Sequence, residues 1–116
     1  MNIGDDFLIG CRQNYFDKVT PASKESKLKP GYKKLVDIAG EYFRQNNYKA
    51  FAGFFQEEQY FIALWAAHLM LEYGNPSHKL MIAALNIVRN YSDNPLAPEV
   101  AQEERQWLDA YIDKYK

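Results

Sequence analysis

Apolar residues recur at helical spacing in five segments of the chain, and none of its segments shows the sustained alternation that predicts a β-strand. The clearest helix carries one apolar stripe, formed by Leu35, Ile38, Ala39, Tyr42 and Phe43. Charged residues fill the positions outside this stripe, as they do in a surface helix. The sequence therefore predicts an all-α fold of five to six helices.

The ends of the other helices follow from local start and stop signals. Besides the helix around Leu35, we predict helices over about 5–18, 48–55, 57–73, from Pro76 to about residue 91, and 98–115. Gly74 is the expected C-cap of helix 57–73, while Asn75 and Pro76 are the expected N-cap and first residue of the next helix. Helix 57–73 is apolar on nearly every side, so we expect other helices to surround it.

The chain is predicted to be a single helical domain, 1–116, because its 116 residues suit one hydrophobic core. Residues 1–30 form the first helix and a lysine-rich connection, and residues 31–116 form paired helices. A shift of 38 residues places the stripe of helix 57–73 on that of the last helix, with a mismatch at Glu104. A period near forty residues is typical of HEAT-like or armadillo-like right-handed α-α superhelices. A plain helical bundle is the alternative.

One part of the chain resembles a known family. The run FIALWAAHLMLEYGNPSHKLMIAALNIV, followed by NPLAPEVAQEERQWL, is similar to a small bacterial domain family of unknown function with a HEAT-like superhelix fold. The shared features lie within 48–108 and are Trp65, Ala66, Ala67, Ala84, Leu85, Glu104 and Trp107. Members are suspected of being immunity or protein-interaction modules, so the resemblance implies such a role and no catalytic residue.

Charge and composition narrow the choice of partner and compartment. Fourteen basic and fifteen acidic side chains give a net charge of −1, which argues against nucleic acid or an anionic membrane as partner. The longest nearly apolar run, 60–71, is too short to span a bilayer. Cys11 has no second cysteine to pair with, and Asp5 and Asp6 occupy the region where a signal peptide is basic. We expect a cytoplasmic protein without a cofactor.

His68 is the strongest candidate for chemistry. It precedes Glu72 by one helical turn, so the pair could orient a base, although a lone histidine on an apolar helix is typical of a core residue. No metal-ligand spacing connects His68 with His78, and Cys11 is interpreted as a core residue among apolar neighbours. The alternative function is therefore a ligand-binding or enzymatic domain with a pocket near His68 and Trp65.

The preferred function is protein-protein interaction, with an immunity-type inhibitor of a toxin as one form of it. We predict one contact surface at Tyr48, Phe54, Lys33 and Lys34, because the short helix 48–55 cannot bury all its rings on one side. We predict a second, acidic surface at Glu103, Asp109 and Asp113, which would suit a basic partner. A third possibility is phosphate binding by the lysine-rich connection 24–34.

Overall fold

The computed structural model describes residues 2–114, and these residues form six α-helices and no β-strand. The prediction of an all-α fold is confirmed. The helices are α1 Ile3–Phe16, α2 Pro30–Arg44, α3 Tyr48–Ala52, α4 Ile62–Tyr73, α5 His78–Ser92 and α6 Pro98–Lys114. Three 3₁₀ turns connect them, at Glu25–Leu28, Gly53–Gln56 and Gln59–Phe61.

The first helix begins earlier and ends earlier than predicted. Asn2 is its N-cap, and its side-chain oxygen accepts a hydrogen bond of 2.8 Å from the backbone N–H of Asp5. Asp5 and Asp6 then place negative charge against the positive end of the helix dipole. The helix stops at Phe16 because Lys18 has a positive φ of 59°, which no α-helix accommodates.

The fourth helix begins at Ile62 and not at residue 57, so the predicted start was wrong. Tyr60 and Phe61 have φ values of 53° and 57°, in the left-handed region that L side chains rarely adopt. Two consecutive residues of this kind interrupt a helix that the apolar pattern alone would extend. Each costs about 1–3 kcal/mol, so the surrounding contacts must hold this segment in place.

The turn between α4 and α5 also departs from the prediction. Gly74 is the C-cap as expected, and a β-carbon there would meet the carbonyl oxygen of Met70 at 2.7 Å. The N-cap of α5 is Ser77, whose hydroxyl accepts from the N–H of Leu80, and not Asn75. Asn75 instead turns the chain with a φ of 45°, a conformation that asparagine tolerates better than most residues.

Helix α4 lies at the centre of the core, as its apolar composition predicted. All of its residues from Ile62 to Leu71 are buried. Trp65 and Leu69 belong to a cluster with α1, α2 and α3, while Leu64 and Leu71 belong to a second cluster with α5 and α6. A single helix therefore joins the two halves of the hydrophobic core.

The last helix reaches the end of the described residues at Lys114, and its predicted end at Tyr115 lies outside them. Its underside carries Ala101, Glu104 and Leu108, which are buried. Among residues 2–114, none of the helices combines the length and the apolar character that crossing a membrane requires.

Candidate functional site

Aromatic side chains that are exposed or only partly buried gather at the C-terminal end of α1. Phe16 is 61% exposed and Tyr15 is 45% exposed. The ring of Tyr15 lies 5.4 Å from the rings of both Tyr60 and Phe61, measured between centroids. We call this set, Tyr15, Phe16, Tyr60 and Phe61 together with Arg12, the aromatic face.

Arg12 covers part of the aromatic face with its guanidinium group. Its central carbon lies 5.8 Å from the ring centroids of both Phe16 and Tyr60, within the range of a cation–π interaction. Tyrosine and arginine are the side chains that most often dominate the energy of protein-protein interfaces. The sequence predicted no contact surface at this position. The residues of α1 that are buried are Phe7, Gly10, Cys11 and Asn14.

Two clefts border the aromatic face and share one residue, Glu58. The first, of about 440 Å³, is lined by Tyr15, Tyr60 and Phe61 together with Gln59 and Ala97. The second, of about 340 Å³, is lined by aromatic, aliphatic and amide side chains: Phe55, Ala63, Ile87, Asn90, Tyr91 and Asn94. Leu96, next to Ala97 in the chain, is 90% exposed. The clefts and Leu96 extend the uncovered apolar surface beyond α1.

A buried pair of polar side chains connects α4 with α6. Nε2 of His68 and Oε1 of Glu104 are 2.5 Å apart, and both side chains are almost wholly buried. The interpretation of His68 as a core residue agrees with this burial, but its carboxylate neighbour is Glu104 and not Glu72. Nδ1 of His68 and Oε2 of Glu104 have no hydrogen-bond partner among the described residues. Both groups are thus held away from any substrate that approaches from solvent.

Glu72 belongs to a second network, nearer to the surface. Its Oε1 accepts from Nε1 of Trp107 at 3.2 Å and from the ammonium group of Lys27 at 3.4 Å. Its Oε2 accepts from the hydroxyl of Tyr32 at 3.2 Å, and that hydroxyl lies 3.1 Å from the hydroxyl of Tyr73. The ring of Trp107 packs against His68, so this network fixes α6 against α4. The clefts that border Trp107 are not lined by His68 or Trp65.

The environment of Tyr32 makes the folding stability of the chain depend on pH in the alkaline range. Burial, the hydrogen bond with Tyr73 and the charge of Glu72 all raise the pKa of Tyr32 above its ordinary value of 10. The folded chain therefore keeps this proton at a pH where the unfolded chain loses it, and folding stability must fall as pH rises above 10. We expect the free energy of unfolding of Tyr32→Phe to fall less between pH 9 and pH 11 than that of the wild type. Urea titrations at both pH values measure this, and equal losses would contradict it.

The thiol of Cys11 is buried, and burial raises its pKa above the ordinary value of 9.0. A thiol in this environment is a poor nucleophile, since the thiolate is the reactive form. Among residues 2–114, no group of three histidine, cysteine or acidic side chains is arranged to hold a metal ion.

The residues predicted to form contact surfaces differ in accessibility. Lys33 and Lys34 are exposed on α2. Tyr48 and Phe54 are only partly buried but take part in packing, since the Tyr48 ring stacks on Phe43 and its hydroxyl donates to the carbonyl of Gly74. The ring of Phe54 lies 4.5 Å from that of Phe7.

The residues of the acidic set differ in exposure, and those of the lysine-rich connection lie on different elements. Asp109 and Asp113 are exposed on α6, whereas Glu103 is half-buried and accepts a hydrogen bond of 2.9 Å from Thr20. Lys24 and Lys27 line the cleft beside Trp107, while Lys33 and Lys34 belong to another element, α2.

Comparison with known proteins gives no relative from which a function could be transferred. The chain matches no family model, no curated protein and no solved structure. The function must therefore be argued from the aromatic face, the clefts beside it and the buried polar networks.

Proposed function

We propose that this chain is a protein-interaction module that contacts its partner through the aromatic face. The observation that carries this proposal is the exposure of Phe16 and Tyr15 beside the cation–π contact of Arg12. The exposed Leu96 precedes Ala97, which lines the adjoining cleft. Burying such side chains against a partner removes apolar surface from water, and each large one contributes about 1.5–3 kcal/mol when fully buried. A face of rigid rings also loses little side-chain freedom on binding.

The proposal includes the finer points of fold and role that the sequence suggested. We propose that the helix pairs stack as a HEAT-like α-α superhelix, as the family resemblance implies, and that the chain acts in the bacterial cytoplasm. The packing of α5 against both α4 and α6 supports a stack. An immunity-type role would use the exposed Asp109 and Asp113 to attract a basic toxin. A toxin gene beside this one would favour immunity over a general adaptor role.

An affinity pull-down from native lysate tests the proposal. We expect one stoichiometric protein to bind the tagged wild type and to be lost from the variant Phe16→Ser with Leu96→Ser. The matched control is Leu28→Ser, because Leu28 is 79% exposed but lies in the 3₁₀ turn after α1, outside the aromatic face. Retention of the partner by the double variant, or its loss from the control, would contradict the proposed surface. The substitutions Asp109→Lys and Asp113→Lys test separately whether the acidic residues contribute to partner binding.

A further inference from the structure

The two clefts beside the aromatic face have an unbalanced charge. Glu58 is the shared residue, and it is the one charged side chain among the described residues that line either cleft. It is exposed, and it forms no ion pair among the described residues. No cationic side chain is among the residues that line either cleft, and the carboxylate of Glu58 favours a positively charged ligand there.

Aromatic rings on both sides of Glu58 reinforce the preference for a cation. Tyr15, Tyr60 and Phe61 line one cleft and Tyr91 lines the other, with the rings of Phe61 and Tyr91 5.8 Å apart. The face of such a ring attracts a cation through its quadrupole. The chain already places one cation on this surface, since the guanidinium of Arg12 lies over Tyr60. Rings and carboxylate together provide both kinds of contact that a guanidinium group uses.

Amide side chains complete the lining of the clefts. Gln59 lines the first cleft, and Asn90 and Asn94 line the second. Their carbonyl oxygens can accept from a planar donor with several N–H groups, which distinguishes a guanidinium from the compact ammonium of lysine. Arginine is therefore the side chain that these clefts fit best.

The backbone holds this arrangement before any ligand binds. Tyr60 and Phe61, two and three residues after Glu58, have left-handed backbone conformations, and the N–H of Ala63 donates to the carbonyl of Glu57 at 2.8 Å. A segment fixed in this way loses little conformational freedom on binding. Strained backbone of this kind is found preferentially at sites of function. The strained residues Tyr60 and Phe61 line the same cleft as Glu58.

We propose that the clefts around Glu58 bind an arginine side chain of the partner protein. This inference rests on the proposed function, because it specifies the partner chemistry that the aromatic face accepts. The carboxylate of Glu58 pairs with the guanidinium, the rings of Tyr60 and Tyr91 border it, and the amides beside them accept its remaining N–H groups. The partner's contacting segment is then basic.

A titration with a small probe tests this site without the partner. N-acetyl-L-argininamide is added to the isotope-labelled chain and followed by amide chemical shifts in nuclear magnetic resonance. We expect shifts centred on residues 58–61 and 90–94. N-acetyl-L-citrullinamide has nearly the same shape and no charge. Its affinity should be lower than that of the arginine probe by about fivefold or more. Equal binding of the two probes, or shifts spread over other surfaces, would overturn the inference.

Two matched variants test whether the charge of Glu58 is the one that binds the arginine probe. Glu58→Gln should weaken binding of the arginine probe by up to about fivefold, since it removes one exposed ion pair. Glu57→Gln should leave it unchanged, because Glu57 is also exposed and is adjacent but lines neither cleft. Unchanged binding by Glu58→Gln would refute the site. If the arginine probe binds but no partner is captured, only the proposed function is contradicted. If the partner is lost from the variant Phe16→Ser with Leu96→Ser but binds normally to Glu58→Gln, only this inference is contradicted.

Discussion

Replacing Glu104 by alanine is expected to lower the free energy of unfolding by about 3–5 kcal/mol. The change leaves His68 buried beside Trp107 without its partner, since Nε2 of His68 contacts Glu104 and its Nδ1 already lacks one among the described residues. It also opens a cavity on the underside of α6, where Glu104 is fully buried. Urea unfolding, followed by circular dichroism at pH 7, measures the loss.

Two further variants separate the cost of an unpaired buried group from the cost of changing α6. In the double variant His68→Leu with Glu104→Leu, both polar groups are replaced by apolar ones. Such replacements of a buried pair are often neutral or stabilising by about 1–4 kcal/mol. Glu103→Ala should cost only about 1 kcal/mol, because this neighbour makes one hydrogen bond to Thr20 at the edge of the core. If the double variant is as unstable as Glu104→Ala, the explanation is wrong.

Phe51→Ala is expected to cost about 3–5 kcal/mol, the range observed for a large aromatic side chain removed from a core. The ring of Phe51 is fully buried and lies 5.2–5.7 Å from those of Phe7, Tyr42, Phe43 and Phe54. Removing it therefore breaks the contacts that join α3 to α1 and α2. Thermal and urea unfolding of the purified variant would measure the loss.

Phe54→Ala is the matched control for this prediction. Phe54 belongs to the same aromatic cluster but is partly exposed, so solvent already covers some of its ring. Its removal should destabilise the chain by roughly half as much as removal of Phe51, since the stabilisation scales with the apolar area buried. Equal losses would show that both rings belong to the interior and that accessibility does not distinguish them.

The parts of the fold that the sequence predicted are those that depend on local pattern. The stripe from Leu35 to Tyr42 is buried along α2, and the unbroken apolar composition of α4 correctly placed that helix at the centre. The start of α4 could not be predicted in the same way. Tyr60 and Phe61 fit the apolar pattern of a helix, whereas their left-handed conformation is accompanied by contacts with residues distant in sequence, among them Tyr15.

The candidate site was harder to predict because its contacts are distant in sequence. The partner of His68 is 36 residues away, and Glu104 counted only as a mismatch in the apparent repeat. In α1, apolar residues surround the helix, so periodicity could not show that Ile9 and Phe16 lie outside the core. That excess of apolar residues was the available signal for the aromatic face.

The positions of the two tryptophans make the chain its own optical reporter. Trp65 is fully buried in α4, whereas Trp107 lies on α6, half-buried, with its ring against His68. Indole emission depends on solvent and on neighbouring imidazole groups, so the two rings report different events. Separation of α6 from α4 would change the fluorescence of Trp107 while leaving that of Trp65 unaltered. Loss of the central core would change both.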